Sequence, residues 1–355
     1  MNKAPLRAFG SRIALVSVVL LALTASGQSN SGDSPERSFR LERLAADDWS
    51  HHVRLGALIG FNASATFKLN GDLGIVNGQP GVYDDGYVRV DDTGNALGYT
   101  TFWGYDNASQ LSGSTLTLTR TTSFSASSSS EVGSGISPGL EFAYGDSYWR
   151  WGNTRIGWEF GFGWLMLGFH DSQTLPSTLS RVHDRFDASD LEVIPDAPYF
   201  GPFISAGQPA IFADSIGSTA DAVAGTLEVS RKLDASLFTF KLGPSVCIGL
   251  APRLGLYASA GPALGFVTGD FSYTETTSAG VGSSQNQGNV GVNSVVFGGY
   301  VNAVLAYHIP SENADIYVGA QYLPLGDVNV SSAGREARLD LSGQVMVSAG
   351  VNWRF

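Results

Sequence analysis

The chain has 355 residues, of which 44 are glycine, 11% are aromatic and only 15% are charged, a balance that suits many strands joined by polar turns and disfavours a helical protein. A formal net charge of −11, with no basic run after residue 12, excludes nucleic acid as a partner, because phosphate binding needs clustered Lys and Arg. The single cysteine, Cys247, excludes an intramolecular disulfide framework and a Cys-based metal cluster, and it reads as a small apolar packing residue.

At the amino terminus Lys3, Arg7 and Arg12 precede an apolar run over 13–23, followed by the small residues Ala25, Ser26 and Gly27. This is the pattern of a secretory signal peptide, assigned to residues 1–27, and the run is shorter than the ~20 apolar residues a spanning helix needs. No cysteine stands at the junction to accept lipid. Residues 28–52, rich in Ser, Asp, Glu and Arg, are expected to form a flexible periplasmic lead-in.

No later segment has 18 continuous apolar residues, so a chain that enters a membrane must do so as a closed barrel whose outer positions are apolar at period two. The first such row is Val53, Leu55, Ala57, Ile59, Phe61, Ala63, Ala65 and Phe67. The next are Leu140, Phe142 and Tyr144, then Ile156, Trp158, Phe160, Phe162, Trp164 and Met166, joined through a tight turn at Gly152, Asn153 and Thr154. Phe238, Phe240, Leu242, Val246, Ile248 and Leu250 follow, turning into Leu254, Leu256, Ala258, Ala260, Leu264 and Phe266. Val295, Phe297, Val301, Ala303, Leu305, Tyr307 and Ile309 make another row, and Ile316, Val318, Ala320 and Tyr322 the one after it. The last is Leu339, Leu341, Val345, Val347, Ala349, Val351, Trp353 and Phe355.

The fold class expected is therefore all-β: a transmembrane antiparallel up-and-down barrel of eight strands over 53–355, with ten as the alternative. Short joins near 152, 252 and 311 alternate with long polar ones at about 69–131, 171–235, 268–293 and 326–337, the asymmetry of short periplasmic turns and long extracellular loops. Segments 115–124 and 227–237 also read as strands. Counting them as crossings would break the alternation of loop lengths, so they are expected as extensions or hairpin arms beyond the membrane.

The chain closes on Val351, Asn352, Trp353, Arg354 and Phe355, an alternation ending in an aromatic. This resembles the terminal signature of bacterial outer-membrane barrel proteins. The resemblance implies that Val351, Trp353 and Phe355 form the strand read by the barrel-assembly machinery. The plan over about 53–355 is similar to the small eight-stranded class, that of the outer-membrane protein A transmembrane domain and outer-membrane protein X, and departs from it in the large first and second loops. Outer-membrane lipids are then expected partners, in a monomer.

By strand parity the interior holds a polar network of Arg54, Glu141, Glu159, Lys241, His308, Gln321 and Arg354, with Asn302 and Gln344. Eight strands leave just enough width for side chains to fill, so these charges are expected to pair as a structural plug. Tyr148, Trp149, Trp151 and Trp353 fit an aromatic girdle. The Asp84, Asp85 pair and the Asp91, Asp92 pair lack the full calcium-loop pattern and read as solvated turn acids, while Phe102, Trp103 and Tyr105 suggest a folded loop. His51, His52, His170, His183 and His308 show no metal-ligand spacing or convincing acid partner, and no catalytic triad is fixed. The reading is a barrel without cofactor, metal or enzymatic activity, structural or surface-interacting through its loops. A narrow channel or transporter for small hydrophobic solutes is the alternative, and a lipid-modifying enzyme a third.

Overall fold

The computed structural model describes residues 42–43, 51–70, 80–203, 207–279, 282–309 and 312–355. The signal peptide and most of the lead-in expected from the sequence lie outside these residues. In chain order the strands that carry the fold are β1 (His51–Phe61), β2 (Ser64–Leu69), β3 (Thr115–Ser125), β4 (Ser128–Gly133), β5 (Ser137–Trp151), β6 (Thr154–Asp187), β7 (Gly217–Ala251), β8 (Leu254–Ala279), β9 (Gly282–Ile309), β10 (Ala314–Leu323), β11 (Val328–Ser332), β12 (Arg335–Asp340) and β13 (Gln344–Arg354).

One large antiparallel sheet closes on itself. β1 pairs with β5, β5 with β6, and the chain then meanders through β7, β8, β9 and β10 to β13, which pairs back with β1. At the seam the Phe355 N–H donates to the His51 carbonyl at 3.1 Å and the His51 N–H to the Phe355 carbonyl at 3.0 Å. The first strand thus starts at His51, inside the stretch expected as lead-in, and Glu42–Arg43 pairs with Trp149 and Arg150 at the same end.

The four longest strands reveal why these residues fold so. In the lower part of β6 the outward positions are Ile156, Trp158, Phe160, Phe162, Trp164 and Met166, while Glu159, Gly161 and Gly163 are buried inside. From Leu165 upward the polarity exchanges faces: Leu165, Leu167 and Phe169 are buried inside and Gly168, His170 and Ser172 are exposed outside. The same exchange occurs at the same height on the neighbours, where Trp164 pairs with Phe238, Phe238 with Phe266 and Phe266 with Val295. Above that line the outward residues are Asp234 and Lys232 on β7, Thr268 and Asp270 on β8, and Asn293 on β9. Below it the outside is apolar over eleven residues of β6, which at ~3.3 Å per residue and a ~45° tilt spans about 25 Å, the height of a hydrocarbon band.

Above the exchange line the other ring strands peel inward. At Asn62, whose φ of 64° is left-handed, the chain leaves β1 and enters β2, and the phase of burial shifts by one residue. β4, β2, β12 and β11 form a second, four-stranded sheet facing the inner side of β6 to β9. Phe67, Ala65, Ala337, Leu339 and Val328 from this cap sheet pack against Leu167, Phe169, Leu233, Leu237, Val267, Phe271, Val292 and Val296 from the long wall. Ala63, Ala65, Phe67, Leu339 and Leu341 are therefore core residues of a sandwich, correcting the expectation that they face lipid; bends at Asn62 and at Ser342 and Gly343 redirect them.

The long connections are likewise not polar loops. Residues 171–187 and 217–235 continue β6 and β7, and 268–279 and 282–293 continue β8 and β9. Segment 115–124 lies in β3, which pairs with the top of β6, and 227–237 is the middle of β7, so neither is a separate crossing. Short strands at Val82–Tyr83, Gly86–Val88, Trp103–Tyr105 and Tyr199–Phe200 build a small outer lobe around Trp103, Tyr105, Leu116, Leu118, Phe186 and Ile211.

Candidate functional site: the barrel interior and the outer lobe

The interior below the exchange line is a network of two groups. In the first, the Arg54 guanidinium lies 2.8 Å from Glu159, which also faces His52 Nε2 at 3.3 Å and accepts from the Ser259 hydroxyl at 2.9 Å. Tyr317 donates to Glu141 at 2.7 Å while its ring lies under the Arg54 guanidinium, and Lys241 donates to Gln321 at 2.6 Å. Arg54, Glu141, Glu159, Lys241 and Gln321 are all buried. Gly161 makes room for this group, since a Cβ there would stand 2.8 Å from Lys241 Cε.

The second group sits at the lower mouth. Asp315, fully buried, accepts from Arg354 Nε at 2.6 Å and Asn352 Nδ2 at 2.8 Å, and faces His308 Nδ1 at 3.0 Å. His308 and Arg354 thus join a different cluster from the other five. Sequence reasoning missed Asp315, Tyr317, Ser259 and His52. The signal for the first two was present, because Ile316, Val318 and Ala320 outside place Asp315 and Tyr317 inside.

The histidines correct a second expectation. His51 lies 3.4 Å from Asp146, and His183 Nε2 lies 3.2 Å from Asp221, so with His52 and His308 four of the five face a carboxylate. These acids are distant in sequence or hidden in strand interiors, and only the register brings them across. Among the described residues no group of three His, Cys, Asp or Glu side chains is arranged to hold a metal ion.

Tyr148, Trp149, Trp151 and Trp353 are exposed around the lower rim, with Trp158 donating to the Tyr148 hydroxyl at 2.7 Å. At the top, Asp84, Asp85 and Asp91 hold structure through their carboxylates, while Asp92 is exposed as expected of a turn acid. The outer edge of β3 is capped: the Asp84 N–H donates to the Thr119 carbonyl at 2.8 Å, the Asp85 carboxylate accepts from the Thr119 N–H at 2.7 Å, and Asp84 Oδ2 accepts from the Thr121 N–H at 2.8 Å. Asp91 is buried and accepts from the Thr93 hydroxyl and N–H, the Asn95 N–H and the Thr101 N–H.

The Thr93 hydroxyl, helped by those N–H groups and opposed by burial, holds the Asp91 carboxyl well below the ordinary carboxylate range. A depressed folded-state value means stability that is present above the ordinary range and lost as pH falls through it and below. Asp91→Asn, which removes the charge, should loosen the lobe at neutral pH, read as faster protease cleavage within 85–105. Acidification of the parent should begin to loosen the lobe below about pH 4 and approach that change only as the pH falls further; a cleavage rate independent of both would remove this role from Asp91.

The ring, its greasy outside and its filled polar inside define a closed β-barrel built for a hydrocarbon surround. No protein family matches the chain, and no curated protein matches it. Among solved structures it is similar to the outer membrane protease OmpT of Escherichia coli, at 9% identity and a TM-score of 0.29, covering 90% of this chain and 99% of that one. It is also similar to Ail, the attachment invasion locus protein of Yersinia pestis, solved with the heparin analogue sucrose octasulfate, at 10% identity and a TM-score of 0.23, covering 85% and 99%. A Pseudomonas aeruginosa FadL homologue follows at 10% identity and a TM-score of 0.18, covering 86% and 90%. At such scores the fold rests on the strand pairings themselves.

Proposed function

We propose that this is an integral β-barrel protein of the bacterial outer membrane that crosses the bilayer as eight strands and serves as a rigid anchor for an outer surface-interaction structure. The observation that carries the reading is the double exchange of polarity. Within one ~25 Å band the outside is apolar and the inside charged, and above it the outside is polar and the inside mainly apolar, crossed by two buried ion pairs. Only a change of solvent along the strand, from hydrocarbon to water, rewards both patterns in one continuous sheet.

In this reading residues 1–27 direct export, 28–50 lie on the periplasmic side, and Val351, Trp353 and Phe355 are the strand recognised by the barrel-assembly machinery. Trp353 and Phe355 stand exposed for such recognition. The membrane-embedded ring follows the small eight-stranded class, monomeric in its lipid, while the wall and lobe go beyond it. The role is non-catalytic and needs no cofactor.

The channel alternative meets two obstacles in series. The Arg54–Glu159 ion pair and the Lys241–Gln321 hydrogen bond cross the lumen, and Leu58, Leu165, Leu237, Val267, Leu323 and Met346 close it above. Purified protein in planar bilayers should therefore show no stable conductance steps. Reproducible, solute-blockable steps would put an open path where these side chains stand and overturn the anchor reading.

A further inference from the structure

The long wall ends at β9 in an edge unlike the others. β10 covers β9 only from Val301 to Ile309, and a single bridge between Gly298 and Leu325 closes that pairing. Above it β11 turns away to pair with β12, so among the described residues no strand joins β9 on that side. The Gly299 N–H donates to the Pro324 carbonyl and the Gly326 N–H to the Phe297 carbonyl, both at 3.2 Å, which marks the odd-numbered residues as those aimed at this edge. By the alternation of an antiparallel strand, the backbone N–H and C=O groups of Gln287, Asn289, Gly291, Asn293 and Val295 point the same way.

Free sheet edges are normally made short, charged, bent or interrupted by proline, because an open one is a template for another chain. The other free edges here follow that rule. β3 is capped by Asp84 and Asp85, the stretch 166–177 of β6 carries Asp171 and Pro176, and β4 and β11 are short. β9 has none of these devices. No Asp, Glu, Lys or Arg occurs between Glu275 and Glu312 in a chain of net charge −11, β9 contains no proline, and its register with β8 runs without a bulge.

We propose that the β9 edge is a docking site for an extended segment of a partner polypeptide, added to the wall as a further strand. The groups in this row are backbone donors and acceptors at strand spacing, which another extended backbone matches in full. Side chains of the added segment alternate, apolar toward the half-buried Val290 and Val330 and polar toward water beside Asn289 and Asn293. A second copy does not fit. In the same membrane its own β9 would run parallel at the same height, and its lower half would occupy the place of β10. From a facing membrane it is held off by taller neighbours, because Ser283 at the top of β9 is level with Pro176 of β6, and β6 runs on to Asp187. The proposal gives the surface-interaction structure its partner class, and it rests on that reading for the edge standing in external water.

The test is fluorescence anisotropy of a labelled peptide, Lys-Thr-Val-Thr-Val-Thr-Val-Thr-Lys, titrated with the full-length purified protein in neutral detergent. The parent should bind it saturably. The same peptide N-methylated at its central residues keeps its side chains but loses its donors, and should bind about tenfold more weakly or worse. Asn289→Pro removes one N–H from the open edge and none from the ladder to β8, as an edge strand tolerates, and should also weaken binding about tenfold. Asn289→Thr keeps the backbone and should bind like the parent. Retained heat resistance shows that Asn289→Pro still folds, and the N-methyl comparison decides without it if it does not. Sedimentation of the parent in the same detergent should show a monomer; a dimer dissolved by Asn289→Pro would give the edge to a second copy and overturn the peptide occupant. No saturable binding by the parent, binding that ignores N-methylation, or parental binding by folded Asn289→Pro overturns the proposal. The anchor reading is untouched by these outcomes, since the conductance test decides it.

Discussion

Arg335→Leu is expected to destabilise the protein by about 3–5 kcal/mol, because it strands a buried carboxylate. Arg335 on β12 reaches Glu275 on β8 with Nε to Oε1 at 2.9 Å and a second, shorter contact from Nη2 to Oε2, and both side chains are almost fully buried. The pair joins the cap sheet to the long wall across the sandwich, and the guanidinium also lies 5.0 Å from the Tyr273 ring centroid. A Leu fills much of the volume but leaves the Glu275 charge without a partner. The double variant Arg335→Leu/Glu275→Leu should recover most of the loss, since an apolar pair of similar volume carries no desolvation penalty. Unfolding followed by denaturant titration in detergent reads both. A single variant as stable as the parent would mean that the cap sheet is not held by this pair.

A second buried pair works beside it. Arg231 on β7 faces Asp171 on β6 at 3.2 Å and donates to the Ser128 hydroxyl on β4 at 2.9 Å, so it too ties wall to cap. Neither pair was legible in the sequence. Asp171 and Glu275 fall in stretches that read as polar external loops, and Arg231, although inside the strand-like segment 227–237 and in phase with its apolar row, had no partner that the sequence could supply.

The reason is physical and follows from the exchange of polarity. A search for one continuous apolar face succeeds from Ile156 to Met166 and from Phe238 to Leu250, because lipid keeps the outward phase apolar there. At Leu167 and Leu237 the solvent changes, so the apolar residues move to the other face while the strand runs on unbroken. The pattern then resembles an end, although the alternation of Leu227, Val229, Leu233, Ala235 and Leu237 continues at the same period. The ring order, the lower lumen and the inward positions of Arg54, Glu141, Glu159, Lys241 and Gln321 were readable because parity within one solvent is constant. The converse failure occurs at Asn62, where the apolar odd positions continue unbroken to Phe67 but a left-handed backbone turns them from lipid to core.

The exchange line itself can be located by charge. Phe160→Arg should cost about 2–4 kcal/mol and impair assembly, because position 160 points outward near the middle of the apolar band, opposite Leu242 on β7 and Tyr144 on β5. His170→Arg lies on the same strand and the same face but above the line, exposed beside Lys232, and should leave assembly and heat resistance unchanged. Both substitutions add the same side chain to the same sheet, so strand propensity and size cannot separate them; only the surrounding solvent can. Gly161→Arg, pointing inward against Lys241, should fail by overfilling and by like charge, and unlike Phe160→Arg it should not be relieved by a thinner bilayer. If Phe160→Arg assembled with parental heat resistance, the apolar band would be facing something other than hydrocarbon, and the charged interior would then have to be explained as the core of a water-soluble protein, where so many buried ion pairs would bring little stability over an apolar filling.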